Sequence, residues 1–359
     1  MPALPSPKTI EADLRVCAKG DSSLQTELLT ADSAGISRAA EIIKAGGLVA
    51  MPTETVYGLA ADALNPAAVA KIFKAKGRPQ DNPLIVHISE FAEWESLTDS
   101  LPQNALLLAK CFWPGSLTVI LKKSPRGPGI VSAGLDTVAV RLPAHPVARR
   151  LIAAAKTPLA APSANLSGSP SPTKPEHVIN DLSGSIEALI DGGDCAVGVE
   201  STVLDLTGEV PTLLRPGGVT AEELRETLGR LEISPAVLDR FSGFPPSPGM
   251  KYRHYAPKAA LTVIHGSREQ YISFLCQNAA PGIFALCYSD TLPFTPCPAV
   301  SLGDRGDPRQ TASRLFTALR ELDRAGAQTI YSEAVEPIGF GLAVANRLLR
   351  AAGFRRIIL

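Results

Sequence analysis

The stretch Asn65-Pro-Ala-Ala-Val-Ala-Lys-Ile-Phe-Lys-Ala-Lys-Gly-Arg-Pro79 decides the class of fold, because it predicts a helix whose two ends are both marked. An Asn-Pro pair opens the helix, and a Gly-Arg-Pro triplet closes it. The run Leu48–Pro52 before this helix and the apolar run Leu84–Ile88 after it predict strands. A strand, a helix and another strand in this order indicate an α/β domain.

Further elements around this unit extend the same domain. Residues 1 to about 33 are expected to be a loose lead-in. The spacing of the strands is irregular, which favours a twisted mixed sheet over a strict βαβ series. The pattern predicts strands at Leu117–Leu121, Thr137–Arg141, Leu159–Ala161, Ala188–Asp191 and Val203–Leu206, and helices at Ser37–Lys44, Pro146–Ala155, Lys174–Leu182 and Ala221–Leu228.

The C-terminal third follows a different pattern. The segment Phe241–Gly249 is rich in Pro and Gly and is a linker by composition. From Ala260 onwards, strand-like and helix-like runs alternate regularly, which predicts a smaller Rossmann-like domain with a parallel sheet. We therefore predict a first domain over residues 1–230, a linker over 231–259 and a second domain over 260–359.

Composition excludes several classes of protein. The 359 residues include 35 Lys plus Arg and 35 Asp plus Glu, so bulk charge does not direct the chain to nucleic acid or to a membrane. No C-x-x-C pair occurs among the six cysteines, which argues against a zinc ribbon and predicts reduced thiols and no protein metal site. We find neither an export signal nor a long apolar run, and we expect a cytoplasmic location.

Two short clusters are candidates for chemistry. Lys76 and Arg78 flank Gly77 at a helix end, where two cations could clamp a phosphate chain, although the same residues also fit a plain helix cap. The loop Ser163–Gly168 follows a predicted strand and offers hydroxyl and amide groups, although it also fits a capped turn. The carboxylates Glu54, Asp136 and Glu200 fit solvated or structural roles.

Taken together, several stretches resemble the long, two-domain form of the L-threonylcarbamoyladenylate synthase family, which has an N-terminal YrdC-like domain. The resemblance covers most of the chain after about residue 35. It rests on Pro52–Leu59, Lys76–Arg78, Asn82–His87, Ser163–Asn165, Ser201-Thr202, Leu214–Gly217, Pro248–Pro257 and Gly341–Leu348.

This resemblance implies an activity and a set of site residues. Enzymes of this family combine L-threonine, bicarbonate and ATP, with Mg²⁺, into threonylcarbamoyl-AMP and pyrophosphate. A downstream transferase then passes the threonylcarbamoyl group to tRNA, which the synthase itself contacts only indirectly or weakly. By similarity, threonine would contact Thr55, His87, Arg141 and Ser201, and ATP would contact Lys76, Arg78, Asn82, Thr137, Ser163, Asn165, Ser171, Arg215 and Tyr255.

Within this set, Lys76 and Arg78 are the expected catalytic residues, because they would neutralise the pyrophosphate leaving group. The linker of the family lies over the nucleotide, so Tyr255 is expected to act as a lid, although Tyr252 and Tyr255 could simply pack the domains together. A non-catalytic RNA-binding or ribosome-associated module is the alternative function. A hydrogenase maturation enzyme is disfavoured because the chain has no C-x-x-C motif.

Overall fold

The computed structural model describes residues 24–125, 127–239 and 254–359, which form two α/β domains with one sheet each. The strands of the first domain are β1 (Glu27–Thr30), β2 (Val49–Met51), β3 (Gly58–Asp62), β4 (Ile85–His87), β5 (Leu117–Lys122), β6 (Thr137–Arg141), β7 (Leu159–Ala160), β8 (Ala188–Asp191), β9 (Thr202–Asp205), β10 (Thr212–Arg215) and β11 (Glu232–Ile233). Its helices are α1 (Ser33–Lys44), α2 (Pro66–Lys76), α3 (Phe91–Leu97), α4 (Gln103–Phe112), α5 (Pro146–Ala155), α6 (Pro175–Leu182) and α7 (Ala221–Leu228).

The first sheet is mixed, as predicted. Its strand order is β1-β8-β2-β3-β7-β4-β6-β5-β9-β10-β11. The pairs β4–β6 and β5–β9 are parallel, whereas β4–β7 and β5–β6 are antiparallel. Because β4 and β6 run side by side in the same direction, their last residues, His87 and Arg141, are register partners at one edge of the sheet.

Helix α2 forms where its sequence predicts it. The Asn65 side chain accepts hydrogen bonds from the backbone N–H groups of Ala67 and Ala68. Gly77 ends the helix in the left-handed conformation, with φ 60°, and the Arg78 N–H bonds the Phe73 carbonyl at 2.9 Å. This C-terminal turn is what carries the backbone from Lys76 to Arg78.

Some elements differ from the predictions. The lead-in is shorter than predicted, because β1 begins at Glu27 and pairs with β8, and α1 begins at Ser33 with Asp32 as its N-cap. Strands β3, β10 and β11 and helices α3 and α4 were not predicted. The sequence of α3, for example, has no Gly or Pro at either end, and its start depends on a capping box between Glu90 and Glu93.

The second domain has the predicted parallel sheet, with strand order β14-β13-β15-β12-β16. All four of its strand pairs are parallel. The short strand β14 was not predicted. The elements are β12 (Ala260–His265), α8 (Arg268–Asn278), β13 (Ile283–Cys287), β14 (Ala299–Ser301), α9 (Pro308–Arg324), β15 (Thr329–Glu333), α10 (Phe340–Ala351) and β16 (Arg356–Ile358).

The two domains are in close contact through α9 and α10. Gly198 of the first domain has φ 78°, and a Cβ added there would lie 2.3 Å from the Ser313 Cα of α9. A larger residue would therefore push the domains apart. Arg320 of α9 forms a bidentate ion pair with Asp181 of α6, with N–O distances of 2.9 and 2.7 Å.

The segment between the domains is described only in part. A 3₁₀ helix, Pro235–Val237, packs its Ala236 and Val237 side chains into hydrophobic clusters of the first domain. The linker predicted from composition, Phe241–Gly249, lies outside the described residues, and so does Tyr252. The limits of the three predicted segments therefore stay predictions. No helix in the described ranges combines the length and apolar character that crossing a membrane requires.

Candidate active site

A cavity lies beside the ends of β4 and β6, with about 740 Å³ of space that includes solvent at its open side. Eleven of the thirteen predicted site residues line it, so the fold brings together residues that are far apart in sequence. These eleven are Thr55, Lys76, Arg78, His87, Arg141, Ser163, Asn165, Ser171, Ser201, Arg215 and Tyr255.

Two predicted residues are not among those that line this cavity. Thr137, the first residue of β6, lines a smaller neighbouring cavity together with Pro83 and Leu84. Asn82 is buried next to that segment, and its side-chain Oδ1 has no hydrogen-bond partner among the described residues. Contacts of Asn82 and Thr137 with ATP stay predictions.

Lys76 is buried at the wall of the cavity and connects helix α2 to the loop after β7. Its Nζ donates to the carbonyl oxygens of Ser163 and Asn165 and lies 3.4 Å from the Asn165 Oδ1. Burial lowers the pKa of Lys76 well below its usual value, and the neighbouring Arg78 lowers it further. In this arrangement Lys76 fixes the Ser163–Asn165 loop, which the prediction of a simple phosphate clamp did not include.

Arg78 is held at the other side of Gly77. Its Nη2 donates to the carbonyl oxygens of Asn82 and Pro83, at 3.3 and 3.0 Å. The Ser167 N–H bonds the Lys76 carbonyl at 2.8 Å, so the loop is also attached to the helix end through its backbone. The two cations therefore share one wall of the cavity.

Arg141 lies at the end of β6 and forms an ion pair with Glu54. Its Nη2 lies 2.5 Å from the Glu54 Oε1, its Nη1 donates to Thr55, and its Nε donates to the Gly115 carbonyl. Burial opposes ionisation of Glu54, but Arg141 outweighs burial and lowers the pKa of the carboxyl. Glu54 is therefore an ionised partner, and a solvated role for it is wrong.

Arg215, at the end of β10, and Ser201, just before β9, form a second hydrogen-bonded pair at the cavity. The Arg215 Nε donates to the Ser201 carbonyl at 3.0 Å, and its Nη2 donates to the Ser201 Oγ at 3.1 Å. The Ser201 hydroxyl also lies 2.8 Å from the Thr118 hydroxyl. Both Arg215 and Ser201 are buried, so the orientation of the guanidinium is fixed before any ligand binds.

His87 adds a neutral group to the charged wall. Its Nδ1 lies 3.3 Å from the Ile85 carbonyl, which favours the tautomer with the proton on Nδ1. Burial lowers the pKa of His87 to about 3, and the charge of Arg141 contributes to this shift. The imidazole is therefore neutral near pH 7 and offers an acceptor nitrogen on Nε2.

The described part of the linker covers the cavity. His254 and Tyr255 line it, and the Ala256 N–H donates to the Gly168 carbonyl at 2.8 Å. The Tyr255 ring packs on Phe316 of α9 with centroids 5.3 Å apart. Tyr255 has φ 62°, which costs a bulky residue about 1–2 kcal/mol and shows how firmly this packing holds it.

Sequence reasoning missed three residues of this site. Glu200 lines the cavity, but only a solvated or structural role was expected for it, and His254 was included only as part of the stretch Pro248–Pro257, without a role of its own. Arg347 of α10 bonds Glu200 at 2.8 Å from the second domain. The match over Gly341–Leu348 was the one signal that pointed to this part of α10.

The electrostatic balance of the cavity is strongly positive. Four basic side chains line it (Lys76, Arg78, Arg141 and Arg215), and Glu200 is the one carboxylate among the lining residues described. An excess of basic over acidic side chains around a cavity favours an anionic ligand. No group of three or more His, Cys, Asp or Glu residues in the described ranges could hold a metal ion, and both nearby carboxylates are engaged with arginines.

Comparisons with known proteins agree with this architecture. Residues 41–217 match the Sua5/YciO/YrdC family profile, which is described as telomere recombination. Residues 219–353 match the threonylcarbamoyl-AMP synthase C-terminal domain. The chain is 48% identical over 327 residues to the threonylcarbamoyl-AMP synthase of Pyrococcus abyssi, covering 89% of this chain and 94% of that one. It is 45% identical over 350 residues to the Bacillus subtilis threonylcarbamoyl-AMP synthase, covering 92% and 97%.

Solved structures show the same two-domain fold. The crystal structure of P. abyssi Sua5 complexed with L-threonine aligns with a TM-score of 0.88 at 45% identity, covering 93% of this chain and all of that chain. A shorter Mycobacterium tuberculosis relative is 41% identical over 197 residues, covering 55% of this chain and 90% of its own. With both domains matched along nearly their full length, the chain belongs to the threonylcarbamoyl-AMP synthase family in its two-domain form.

Proposed function

We propose that this enzyme uses ATP to convert L-threonine and bicarbonate into threonylcarbamoyl-AMP and pyrophosphate, as a nucleotidyltransferase. The observation that carries the proposal is the cavity wall in which four basic side chains face one carboxylate. A triphosphate and an amino-acid carboxylate are both anionic and can accept charge-assisted hydrogen bonds from these basic side chains. The names of the relatives and the threonine complex of the P. abyssi protein support the choice of amino acid.

The two ends of the cavity suit the two substrates. Lys76, Arg78 and the Ser163–Asn165 loop would contact the triphosphate. Arg141 uses three of its five N–H groups on Glu54, Thr55 and Gly115, and it retains donors for the carboxylate of threonine. Ser201 and His87 would contact the rest of the amino acid.

The proposed reaction has two bond-forming steps. The neutral amine of threonine attacks the carbon of carbon dioxide, giving a carbamate and releasing a proton, or attacks the carbon of bicarbonate, giving the same carbamate as a C–O bond breaks and water leaves. A carbamate oxygen then attacks the α-phosphorus, and the bond from that phosphorus to the bridging oxygen of the β-phosphate breaks as pyrophosphate leaves. Arg78 and Lys76 would stabilise the charge on pyrophosphate.

His87 contributes to this scheme as a hydrogen-bond acceptor. Because burial lowers the pKa of His87 to about 3, its conjugate acid would not hold the amine proton at neutral pH. Its neutral Nε2 can accept a hydrogen bond from the amine or the hydroxyl of threonine. Mg²⁺ belongs to the proposal only as part of the MgATP substrate.

The test measures pyrophosphate and threonylcarbamoyl-AMP while threonine, bicarbonate and ATP are omitted in turn. Each omission is expected to abolish the product, and serine is expected to substitute poorly. Equal turnover with serine would overturn the choice of threonine but leave ATP activation intact. Absence of pyrophosphate formation, together with salt-sensitive RNA binding, would favour the RNA-binding alternative.

Transfer of the product to tRNA by a partner protein completes the proposal. Threonylcarbamoyl-AMP is a mixed anhydride, so it requires an acceptor and a second enzyme that receives it before water does. The neutral overall charge of the chain, with 35 basic and 35 acidic residues, is consistent with a role upstream of the tRNA itself.

A further inference from the structure

Helix α10 of the second domain places a charged side chain beneath the cavity of the first. Arg347 is fully buried, and its Nε donates to the Glu200 Oε2 at 2.8 Å. Its Nη1 donates to the Pro216 carbonyl at 2.6 Å and to the Asn346 Oδ1 at 3.0 Å. Three bonds to two domains fix this guanidinium in one position.

Glu200 connects Arg347 to a residue that lines the cavity. One of its oxygens accepts from Arg347, and the other accepts from the hydroxyl of Ser171. Burial opposes the charge on Glu200, but Arg347 and Arg215 outweigh it and lower the pKa of the carboxyl. An ionised carboxylate can only accept hydrogen bonds, so the single proton of the Ser171 hydroxyl is directed at Glu200.

The segment around Ser171 is held by hydrogen bonds from both domains. Arg320 of α9 donates to the Pro170 carbonyl at 2.5 Å, and the Thr317 hydroxyl lies 3.3 Å from that of Thr173. On the other side, the Tyr57 N–H bonds the Pro172 carbonyl at 2.8 Å. With its backbone held and its hydroxyl proton on Glu200, Ser171 presents oxygen lone pairs to the cavity.

From this network we infer that Arg347 is a positioning residue that, through Glu200, fixes Ser171 as a hydrogen-bond acceptor and so selects a nucleotide with a ribose hydroxyl at this point. The inference rests on the proposed function, in which the cavity binds ATP. An ionised phosphate offers no proton to a Ser171 oxygen, whereas the ribose hydroxyls do; the adenine amino group is the other donor of ATP, and comparison with deoxynucleotides separates the two. The second domain thereby determines which part of the nucleotide lies next to Ser171.

The experiment compares ATP with 2′-deoxy-ATP and 3′-deoxy-ATP in the full-length enzyme. Wild type is expected to lose at least ~10-fold in kcat/KM with one of the two analogues, about 1.4 kcal/mol. Ser171→Ala and Arg347→Met are expected to reduce this preference to about twofold or less. Because the preference is a ratio, a smaller fraction of active enzyme does not change it.

Two further variants separate positioning from folding. Arg347→Met leaves the buried Glu200 charge without its partner, so the double variant Glu200→Gln with Arg347→Met removes both charges together. The double variant is expected to unfold closer to wild type and still lack the preference for a ribose hydroxyl. Arg347→Lys, which keeps the charge, is expected to restore part of it.

The matched control is Arg305→Met, which also removes an arginine paired with carboxylates. The ion pairs of Arg305, to Asp290 and Glu333, lie entirely within the second domain. This variant is expected to retain the wild-type preference for a ribose hydroxyl. Loss of the preference in Arg305→Met would assign the effect to general loosening of the second domain and overturn the inference.

Binding of the three nucleotides by calorimetry separates this inference from the proposed function. Equal affinity of wild type for ATP and both analogues would overturn the role of Ser171, even if pyrophosphate is formed. A preference for ATP that disappears in Arg347→Met would support the inference even if threonine proved to be the wrong amino acid. Unchanged preference in Arg347→Met and in the double variant would refute it.

Discussion

Replacing Glu54 with Gln tests how much the buried ion pair beneath the cavity stabilises the first domain. The substitution keeps the shape of the side chain but removes the charge that faces Arg141 at 2.5 Å. The two side chains are 4% and 14% exposed, so water does not replace the lost partner. Removing one member of a buried pair typically costs about 3–5 kcal/mol.

This cost converts into a measurable shift of the unfolding midpoint. For a domain of this size, each kcal/mol corresponds to about 2–4 °C, so Glu54→Gln is expected to lower the midpoint by at least ~6 °C. The KM for threonine is expected to rise as well, because Arg141 loses the carboxylate that orients it. Scanning calorimetry and pyrophosphate release measure the two effects.

The chain contains a matched control for this variant. Glu27 and Arg38 form an ion pair with nearly the same distance, 2.6 Å, but their side chains are 42% and 49% exposed. Glu27→Gln is expected to leave the midpoint unchanged within experimental error, because exposed pairs are screened by water. Equal shifts for Glu54→Gln and Glu27→Gln would refute the argument from burial.

Three further predictions concern the cavity and its surroundings. Arg78→Ala is expected to raise the KM for ATP or lower turnover at least ~10-fold, since hydrogen bonds to charged groups contribute ~1.5–3 kcal/mol. The control Lys74→Ala, on the exposed face of the preceding helix, is expected to change neither quantity, and equal effects of the two variants would contradict a role for Arg78 in binding. Tyr255→Gly removes the cost of a positive φ but also removes the ring that packs against Phe316 over the cavity, so it is expected to raise the ratio of free AMP to threonylcarbamoyl-AMP. Tyr255→Phe keeps the ring and is expected to keep the wild-type ratio; product chromatography measures both ratios and decides between a lid and simple packing. Burial lowers the pKa of His87, His177 and His254 to about 3 from an ordinary value of 6.5, so the unfolded state binds more protons than the folded state between these two values, and the free energy of unfolding is expected to fall as the pH drops below about 6.5. Urea unfolding at pH 5 and pH 7 measures this dependence, which is expected to be shallower in His177→Asn than in wild type; the same dependence in both proteins would disprove the assignment for His177.

Local signals in the sequence were enough to predict much of the fold. Helix α2 carries its N-cap, its N1 proline and its left-handed glycine within one stretch, so both ends were placed to within a residue. The second domain was predicted from regular alternation over four strands. Strand β1 was missed because its four residues are stabilised by pairing with β8, about 160 positions away in the chain.

The residues of the site could be predicted from the sequence, but the hydrogen bonds and ion pairs between them could not. The motifs around Lys76 and Ser163 identified residues that share a cavity, but nothing local indicates that the Lys76 ammonium bonds the Ser163 and Asn165 carbonyls. The partner of Glu200 lies 147 positions away, in another domain. Such contacts depend on tertiary packing, which no spacing within a motif encodes.

The ion pair between Glu200 and Arg347 also constrains how this architecture can change over evolutionary time. Loss of helix α10 would remove the Arg347 guanidinium and open the Glu200 side of the first domain to water. A one-domain version of this sequence would therefore need water or another polar group in place of that guanidinium beside position 200.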